Sequence, residues 1–205
     1  MEDSLDSQRE LITKELEKVL LTQSICEKSL ELASQNCGFD KNYHKLLFQG
    51  GIVELLSFLS RLHDQALLIE LSKSDRPEKI TKRVALATKT RLKLLDKTIL
   101  SKICNFYLNP LYSGHGLKLC FKSCDAIWRY AGDQSIDYNY YTKRMLLLSV
   151  YLPSIMHYIG DDSINHIKTD QFIDSSLEKI VKLGSLKARI KLLKIQDIPI
   201  LRMFV

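Results

Sequence analysis

The chain has 205 residues, of which 45% are hydrophobic and 26% are charged, and its formal net charge is +6. These values are typical of a soluble globular protein of one domain or two closely packed layers, and they argue against a disordered chain. Proline is scarce and glycine modest, whereas leucine, lysine, isoleucine and serine are abundant, so we expect an all-helical fold. Five cysteines without paired spacing predict small core residues in a reducing compartment.

Charge is distributed unevenly along the chain. Residues 1–60 carry six basic against ten acidic side chains, residues 76–102 carry nine against two, and residues 179–205 carry seven against one. A basic middle and a basic tail could attract anionic lipid, nucleic acid or an acidic partner, although a solvated helix face explains the middle segment more simply. The acidic start, MEDSLDSQRE, has no apolar run, which predicts no secretory or mitochondrial leader and favours a bacterial cytoplasm.

The first 60 residues are predicted to form a three-helix head. Apolar spacing predicts a helix over 7–33, with a break near Thr22–Ser24 left open. Two short helices, Tyr43–Phe48 and Ile52–Leu59, follow it. These proportions resemble the DNA-binding head of TetR-type regulators. However, the head is net acidic and Gly50-Gly51 interrupts the place where a recognition helix should begin, so we expect no nucleic-acid partner. A TetR-like transcription regulator with a small hydrophobic effector is kept as the alternative function.

The middle of the chain is predicted to contain two further helices. The first of these helices is predicted to end at Ser72. The apolar pattern then predicts a second one, a long amphipathic helix from Glu78 to Phe106. Asn109-Pro110 is predicted to stop that helix, and the LYSGHG segment that follows is predicted to be a loop.

A corner between two helices is predicted around a glycine. The apolar stripe from Leu117 to Ala131 predicts a helix that ends at Gly132 in the left-handed conformation. Asp137 precedes YNYYTKR and is predicted to cap the next helix.

The next helix contains fifteen residues without a charge, from Met145 to Ile159, with Pro153 expected to kink it. It is too short and interrupted to span a bilayer, which needs about 20 apolar residues. A helix that is apolar all round either lies in the core or lines an apolar cavity, and the sequence leaves both open.

The last part of the chain is predicted to be a helix followed by a basic amphipathic tail. Asp161-Asp162-Ser163 is predicted to cap a helix that Gly184 ends. Beyond it, a short segment carries leucine and isoleucine on one face and basic residues beside and opposite it. This pattern is typical of a helix lying on an anionic membrane surface, although packing onto the bundle is the open alternative. The predicted membrane-binding residues are Leu186, Lys187, Arg189, Ile190, Lys191, Leu193 and Lys194.

One string, Asp125–Arg144 or DAIWRYAGDQSIDYNYYTKR, concentrates tryptophan and tyrosine around a Gly132-Asp133 turn. Aromatic side chains with polar tips concentrate where proteins meet ligands or partners. The string resembles the lipid-binding accessory proteins of ubiquinone biosynthesis, through the pattern A-x-W-x-x-A-G-D-x-S-x-D-[FY]-N-x-Y-T-[KR]-R. A weaker match, L-F-x-x-G-x-x-E-L, is carried by Leu47, Phe48, Gly51, Glu54 and Leu55.

This resemblance implies a non-catalytic, TetR-like helical bundle with a head (1–60), a lipid-binding and partner-docking body (61–184) and a membrane-binding tail (185–205). It implies an isoprenoid quinone or precursor lipid as ligand, the di-iron hydroxylase of the pathway as partner, and attachment to a membrane surface; a homodimer is left open. The implied lipid-binding residues are Leu146, Leu147, Val150, Tyr151 and Ile155. The implied partner-binding residues are Trp128, Tyr130, Asp133, Asp137, Tyr141, Lys143 and Arg144.

The sequence offers no catalytic or metal-binding motif. It has no H-E-x-x-H helix, Walker loop or nucleophile elbow, and no histidine follows a glutamate at the spacing that di-iron bundles require. We therefore expect no cofactor and no catalysis. For Asp133, Asp137, Lys143 and Arg144, turn, cap and ion-pair roles are the first interpretation, and partner contact is the second.

Overall fold

The structure, a computed structural model, describes the backbone of residues 2–192 and the side chains of residues 5–182. This part of the chain is helical and contains no strand, which confirms the all-α fold class. Its helices are α1 (Glu2–Thr22), α2 (Glu27–Asn36), α3 (Tyr43–Leu47), α4 (Gly51–Ser72), α5 (Ile80–Lys93), α6 (Lys97–Tyr107), α7 (Pro110–Ala131), α8 (Tyr138–Ile159) and α9 (Ile167–Leu192), with a short 3₁₀ turn, Ile164–His166, before α9. The TetR-like arrangement and the domain boundaries stay predictions.

Two clusters of buried hydrophobic residues hold these helices together. The first joins α1, α2 and α3 to the start of α4 and to α6, and the second joins the end of α4 to α5, α7, α8 and α9. Helix α4 contributes to both, with Leu55 and Phe58 in the first cluster and Leu67 and Leu71 in the second. The two clusters are thus connected by one continuous helix.

The weak glycine motif of the head has a structural explanation. Leu47, Phe48 and Leu55 are buried in the first cluster. Between them the chain turns through Gly51, whose φ of 62° favours glycine. The Glu54 carboxylate accepts a hydrogen bond from the Gly50 N–H at 2.8 Å, so the motif residues build the junction between α3 and α4.

The predicted long helix from Glu78 to Phe106 is wrong, because the structure contains two helices, α5 and α6, in its place. The Asp96 carboxylate accepts a hydrogen bond from the Thr98 N–H at 2.7 Å and caps α6. A capping aspartate satisfies the free N–H groups of a new helix start, so the chain can turn here without a proline or glycine.

The predicted helix stop at Asn109-Pro110 is confirmed, since α6 ends at Tyr107. The predicted LYSGHG loop is wrong, because that segment belongs to the start of α7. The Asn109 side chain accepts a hydrogen bond from the Leu111 N–H at 3.0 Å, and Pro110 occupies the first helical turn, where its missing N–H costs nothing. Gly116 lies inside α7, where an added Cβ atom would be only 2.7 Å from the Tyr107 ring, so a residue without a side chain fits there.

The two caps that were predicted at the corner between α7 and α8 are confirmed. Gly132 has a φ of 96°, and the Asp133 N–H donates to the Trp128 carbonyl at 3.0 Å, as in a Schellman cap. The Asp137 carboxylate accepts from the Asn139 N–H at 3.0 Å and caps α8, within which Pro153 lies.

The last helix differs from its prediction at its end. Asp161 and Ser163 provide cap hydrogen bonds to Thr169 and Lys168, as expected. However, α9 passes through Gly184 and continues to Leu192. One glycine lowers helix stability by only about 1 kcal/mol, which neighbouring leucine and lysine residues can offset.

Candidate functional site: an apolar cavity and an aromatic corner

A cavity of about 310 Å³ lies among helices α4, α5, α6, α7 and α8. Its wall is mostly aliphatic and aromatic, with Leu56, Leu59, Ile103, Tyr107 and Leu119 among its residues. Volumes of about 300–1,000 Å³ are typical of sites for small organic ligands. The arrangement therefore suits an apolar molecule, or part of a longer one.

Helix α8 contributes to this wall, as expected, but with a different set of residues. Tyr151 and Ile155 line the cavity. Leu146, Leu147 and Val150 do not: Leu146 is exposed, and Leu147 and Val150 are buried in the protein interior. Leu152 and Met156 line it instead. The phase of a helix that is apolar all round follows from packing, which its own sequence does not reveal.

The cavity has a buried floor and an exposed rim. Leu56, Leu59 and Tyr151 are buried, whereas Leu108, Leu117 and Met156 are exposed large hydrophobic residues on the same wall. The parts of the wall from α6 and α7 were not predicted, because Leu108 and Leu117 flank the segment that was interpreted as a loop. The apolar residues from Leu117 to Cys124 recur at helical spacing, and this was the feature of the sequence that could have indicated the α7 part of the wall.

The floor contains one charged group. The buried Arg91 donates from Nε to the Asp64 carboxylate at 2.7 Å, and the Ser123 hydroxyl donates to the same Asp64 oxygen at 2.8 Å. Burial alone would lower the pKa of Arg91, but the neighbouring Tyr151 and Asp64 outweigh it and raise the pKa, so the guanidinium stays protonated. Burial raises the pKa of Tyr151, which keeps its hydroxyl as a neutral hydrogen-bond donor.

Two cysteines on the cavity wall are poor nucleophiles. Burial raises the pKa of Cys104, and burial together with Cys104 raises the pKa of Cys120 to about 11. Because the thiolate is the reactive form, both side chains act as small apolar groups at neutral pH.

The aromatic corner between α7 and α8 is built on an ionic network. Arg144, only 1% exposed, donates from Nε to Asp125 at 2.8 Å and from Nη1 to Asp133 at 2.6 Å. Its guanidinium lies 3.8 Å from the centre of the Tyr140 ring. Lys143 donates to the other Asp133 oxygen at 2.5 Å. These contacts match the ion-pair interpretation of Lys143 and Arg144, whereas Asp125 was not expected to take part.

Asp133 is the centre of this network. Burial would raise the pKa of Asp133, but hydrogen bonds from Lys143, Arg144 and Ser135 outweigh it and hold the pKa of that carboxyl well below its usual value. The carboxylate therefore stays ionised at neutral pH and fixes the loop to the start of α8.

The remaining predicted partner residues divide into buried and exposed ones. Trp128 is half-buried, and its indole N–H donates to the Lys143 carbonyl at 3.0 Å. Tyr130 is also half-buried, with the Arg76 guanidinium 5.6 Å from the centre of its ring. Asp137 is exposed but serves as the α8 cap, so Tyr141 is the predicted residue whose ring is most available to a partner.

An exposed apolar stripe runs along α8 from this corner to the cavity rim. Its large residues are Tyr138, Tyr141, Met145, Leu152 and Met156. Their spacing of three, four, seven and four residues places them on one face of the helix. This stripe was not predicted, because the sequence of an uncharged helix does not show which of its faces is exposed.

The predicted membrane-binding residues cannot be compared with contacts. Leu193 and Lys194 lie outside the described residues, as do the side chains of Leu186, Lys187, Arg189, Ile190 and Lys191. Within residues 2–192, no helix has the length and apolar character needed to span a membrane.

Fold and cavity together define an all-helical protein with an apolar cavity and an aromatic surface beside it. Residues 113–184 match the model of the COQ9 family, a range that includes the aromatic string and most of the cavity wall from α7 and α8. The match confirms the resemblance to that family over this region of the chain.

Similar proteins extend the likeness over most of the chain. It is 30% identical over 121 residues to the probable ubiquinone biosynthesis protein coq9 of Dictyostelium discoideum, covering 58% of this chain and 37% of that protein. It is 27% identical over 132 residues to COQ9 of Rattus norvegicus, covering 63% and 42%, and 24% identical over 194 residues to COQ9 of Bos taurus, covering 90% and 60%. The chain thus covers 37–60% of the length of these relatives, all named as mitochondrial ubiquinone biosynthesis proteins.

Proposed function

We propose that the protein is a non-catalytic accessory protein of ubiquinone biosynthesis, which binds an isoprenoid quinone precursor in the cavity and presents it to the di-iron hydroxylase of the pathway. The apolar cavity is the observation that carries this proposal. The family match and the names of the relatives support the pathway.

The physical argument for a lipid ligand is the composition of the wall. Each buried methylene is worth about 0.8 kcal/mol, so a prenyl chain leaves a bilayer only for an equally apolar site. A volume of about 310 Å³ holds the ring and the first part of a chain rather than a whole long one. The exposed rim residues Leu108, Leu117 and Met156 offer apolar surface along which the remaining chain can lie.

The argument for a docking partner is the α8 stripe beside the aromatic corner. Tyr138 and Tyr141 are exposed, while the network around Arg144 holds the backbone beneath them rigid. Rigid tyrosines on a firm scaffold are typical of energetically important interface residues. A membrane role for the basic tail is part of the same proposal, since the lipid precursor resides in a membrane.

Lipid binding can be tested by native mass spectrometry of the protein purified gently from a host that makes ubiquinone. We expect a co-purifying isoprenoid, and a ligand-free mass in every preparation would contradict the proposal. Met156→Trp, on the rim, should reduce the loaded fraction by narrowing the mouth. Met145→Trp is the matched control, because it is similarly exposed on the same face but does not line the cavity.

Docking can be tested with Tyr141→Asp in a pull-down with the purified hydroxylase. We expect capture to be lost, because a charge at an interface centre must be desolvated. Ile69→Asp on α4 is the control, since Ile69 and Tyr141 are both 62% exposed. Equal capture by both variants would place docking elsewhere. Tyr141 is preferred to the half-buried Trp128, whose replacement would also disturb the corner.

A further inference from the structure

The apolar cavity contains hydrogen-bond donors that the fold does not use. The Arg91 guanidinium forms part of the cavity wall. Among the described residues it donates hydrogen bonds from Nε and Nη2 alone, to Asp64, Ser60 and Ser123. Its Nη1 group donates to no residue that the structure describes. An arginine has five N–H donors, so part of this group remains available to a ligand.

Two phenols on the same wall strengthen this observation. The Tyr107 hydroxyl oxygen is buried and has no hydrogen-bond partner among the described residues. The Tyr151 hydroxyl, near Arg91, likewise donates to no described group. A buried polar group without a partner costs about 1–3 kcal/mol, so the Tyr107 hydroxyl calls for a ligand that satisfies it.

The charges in the cavity indicate what kind of head group fits. Asp64 neutralises Arg91 through the 2.7 Å ion pair and does not itself line the cavity. An anionic ligand would therefore bring an unpaired charge into an apolar space, which is costly. A neutral oxygen, such as a ring carbonyl, accepts hydrogen bonds from a guanidinium or a phenol without that cost.

We propose that Arg91, Tyr151 and Tyr107 form a polar subsite in the cavity, which binds the neutral carbonyl-bearing ring of a prenylated ligand while its apolar chain leads out past Leu108 and Met156. The ligand is thus bound ring first. This inference rests on the proposed function, because it needs the cavity to hold a lipid.

The test compares two ligands that differ only in the ring oxygens. Farnesyl-1,4-benzoquinone and farnesylbenzene would be titrated into delipidated protein, with binding followed by native mass spectrometry. The wild-type protein should bind the quinone at least tenfold more tightly. Tyr107→Phe removes only an unpartnered hydroxyl, so folding should be unaffected, while affinity for the quinone should fall about fivefold and affinity for the hydrocarbon should not change.

Arg91 needs a variant that leaves no unpaired charge. Arg91→Met combined with Asp64→Asn removes both charges and keeps an oxygen for the Ser123 hydroxyl, and replacing a buried pair by neutral groups is often tolerated. Affinity of this variant for the quinone should fall about tenfold or more, again without loss of hydrocarbon binding.

The possible failures of the two proposals differ. Equal binding of quinone and hydrocarbon by the wild-type protein, or unchanged quinone binding by both variants, would overturn the polar subsite and leave lipid binding intact. Binding of neither ligand by the wild-type protein would overturn the proposed function and the subsite with it.

Discussion

At the scale of single residues, the aromatic corner depends on a few buried charges. Arg144 is fully enclosed, with Asp125, Asp133 and the Tyr140 ring around its guanidinium. Removing one partner of a buried ion pair is destabilising, because the remaining charge is left without compensation. The corner is therefore sensitive to substitutions that leave its shape unchanged.

Asp133→Asn should lower the free energy of unfolding by about 2 kcal/mol, because charged hydrogen bonds to Lys143 and Arg144 become weaker neutral ones. Urea unfolding followed by circular dichroism measures the change. Asp137→Asn is the matched control: asparagine caps a helix as well as aspartate does, so its stability should stay within about 0.5 kcal/mol of the wild type. Equal effects of the two substitutions would refute the central role of Asp133.

The same carboxylate predicts a dependence on pH. Because the folded-state pKa of Asp133 is below its unfolded value, its stabilisation is fully present above the unfolded pKa of about 3.9 and is lost as pH falls toward the folded value. Unfolding free energies measured from pH 6 down to pH 2 should fall less steeply for Asp133→Asn than for the wild type. Parallel curves would show that another acidic group controls acid unfolding.

At the scale of helices, local chemistry predicts some boundaries and not others. Gly132 and Asp137 were identified as caps because their residue types have one usual role at those positions. Asn109-Pro110 was identified as a helix end, but the same two residues also start α7, because proline suits the first helical turn. In the sequence, Gly116 resembles a glycine of a loop. In the structure it lies within α7, and a side chain at this position would clash with the Tyr107 ring of the neighbouring helix.

Gly116 and Gly114 give a matched pair of substitutions in α7. A Cβ atom at Gly116 would lie 2.7 Å from Tyr107 Cγ, so Gly116→Ala should lower stability by about 1–3 kcal/mol through overpacking. A Cβ atom at Gly114 would meet no atom within 4 Å, so Gly114→Ala should raise stability by about 0.5–1 kcal/mol through helix propensity. Thermal unfolding of both variants tests the packing of α6 on α7, and stabilisation by both would contradict it.

The candidate site could be predicted only in part for the same reason. The cavity wall from α8 was expected from an uncharged helix, and two of five named residues, Tyr151 and Ile155, line it. The phase of such a helix is set by its neighbours, so Leu152 and Met156 could not be identified in advance. Arg91 was hidden in a basic segment interpreted as a solvated face, since its partner Asp64 lies 27 positions away.

At the scale of the whole molecule, α4 couples the two hydrophobic clusters. Because Leu55 and Leu67 lie in different clusters on one helix, unfolding of either cluster should disrupt the other. Fluorescence of Trp128, the single tryptophan, reports on the second cluster, whereas far-ultraviolet circular dichroism reports on all helices. The two urea transitions should coincide, and separate midpoints would show that the clusters unfold independently.

The length of the α8 stripe bears on how a bound lipid would be transferred to a partner protein. Met156 lies 18 positions after Tyr138, which corresponds to about 27 Å along a helix axis. A partner protein that bound along the whole stripe would also cover the opening of the cavity beside Met156. The lipid could then pass directly from the cavity of this protein into the partner, and its apolar chain would not be exposed to water.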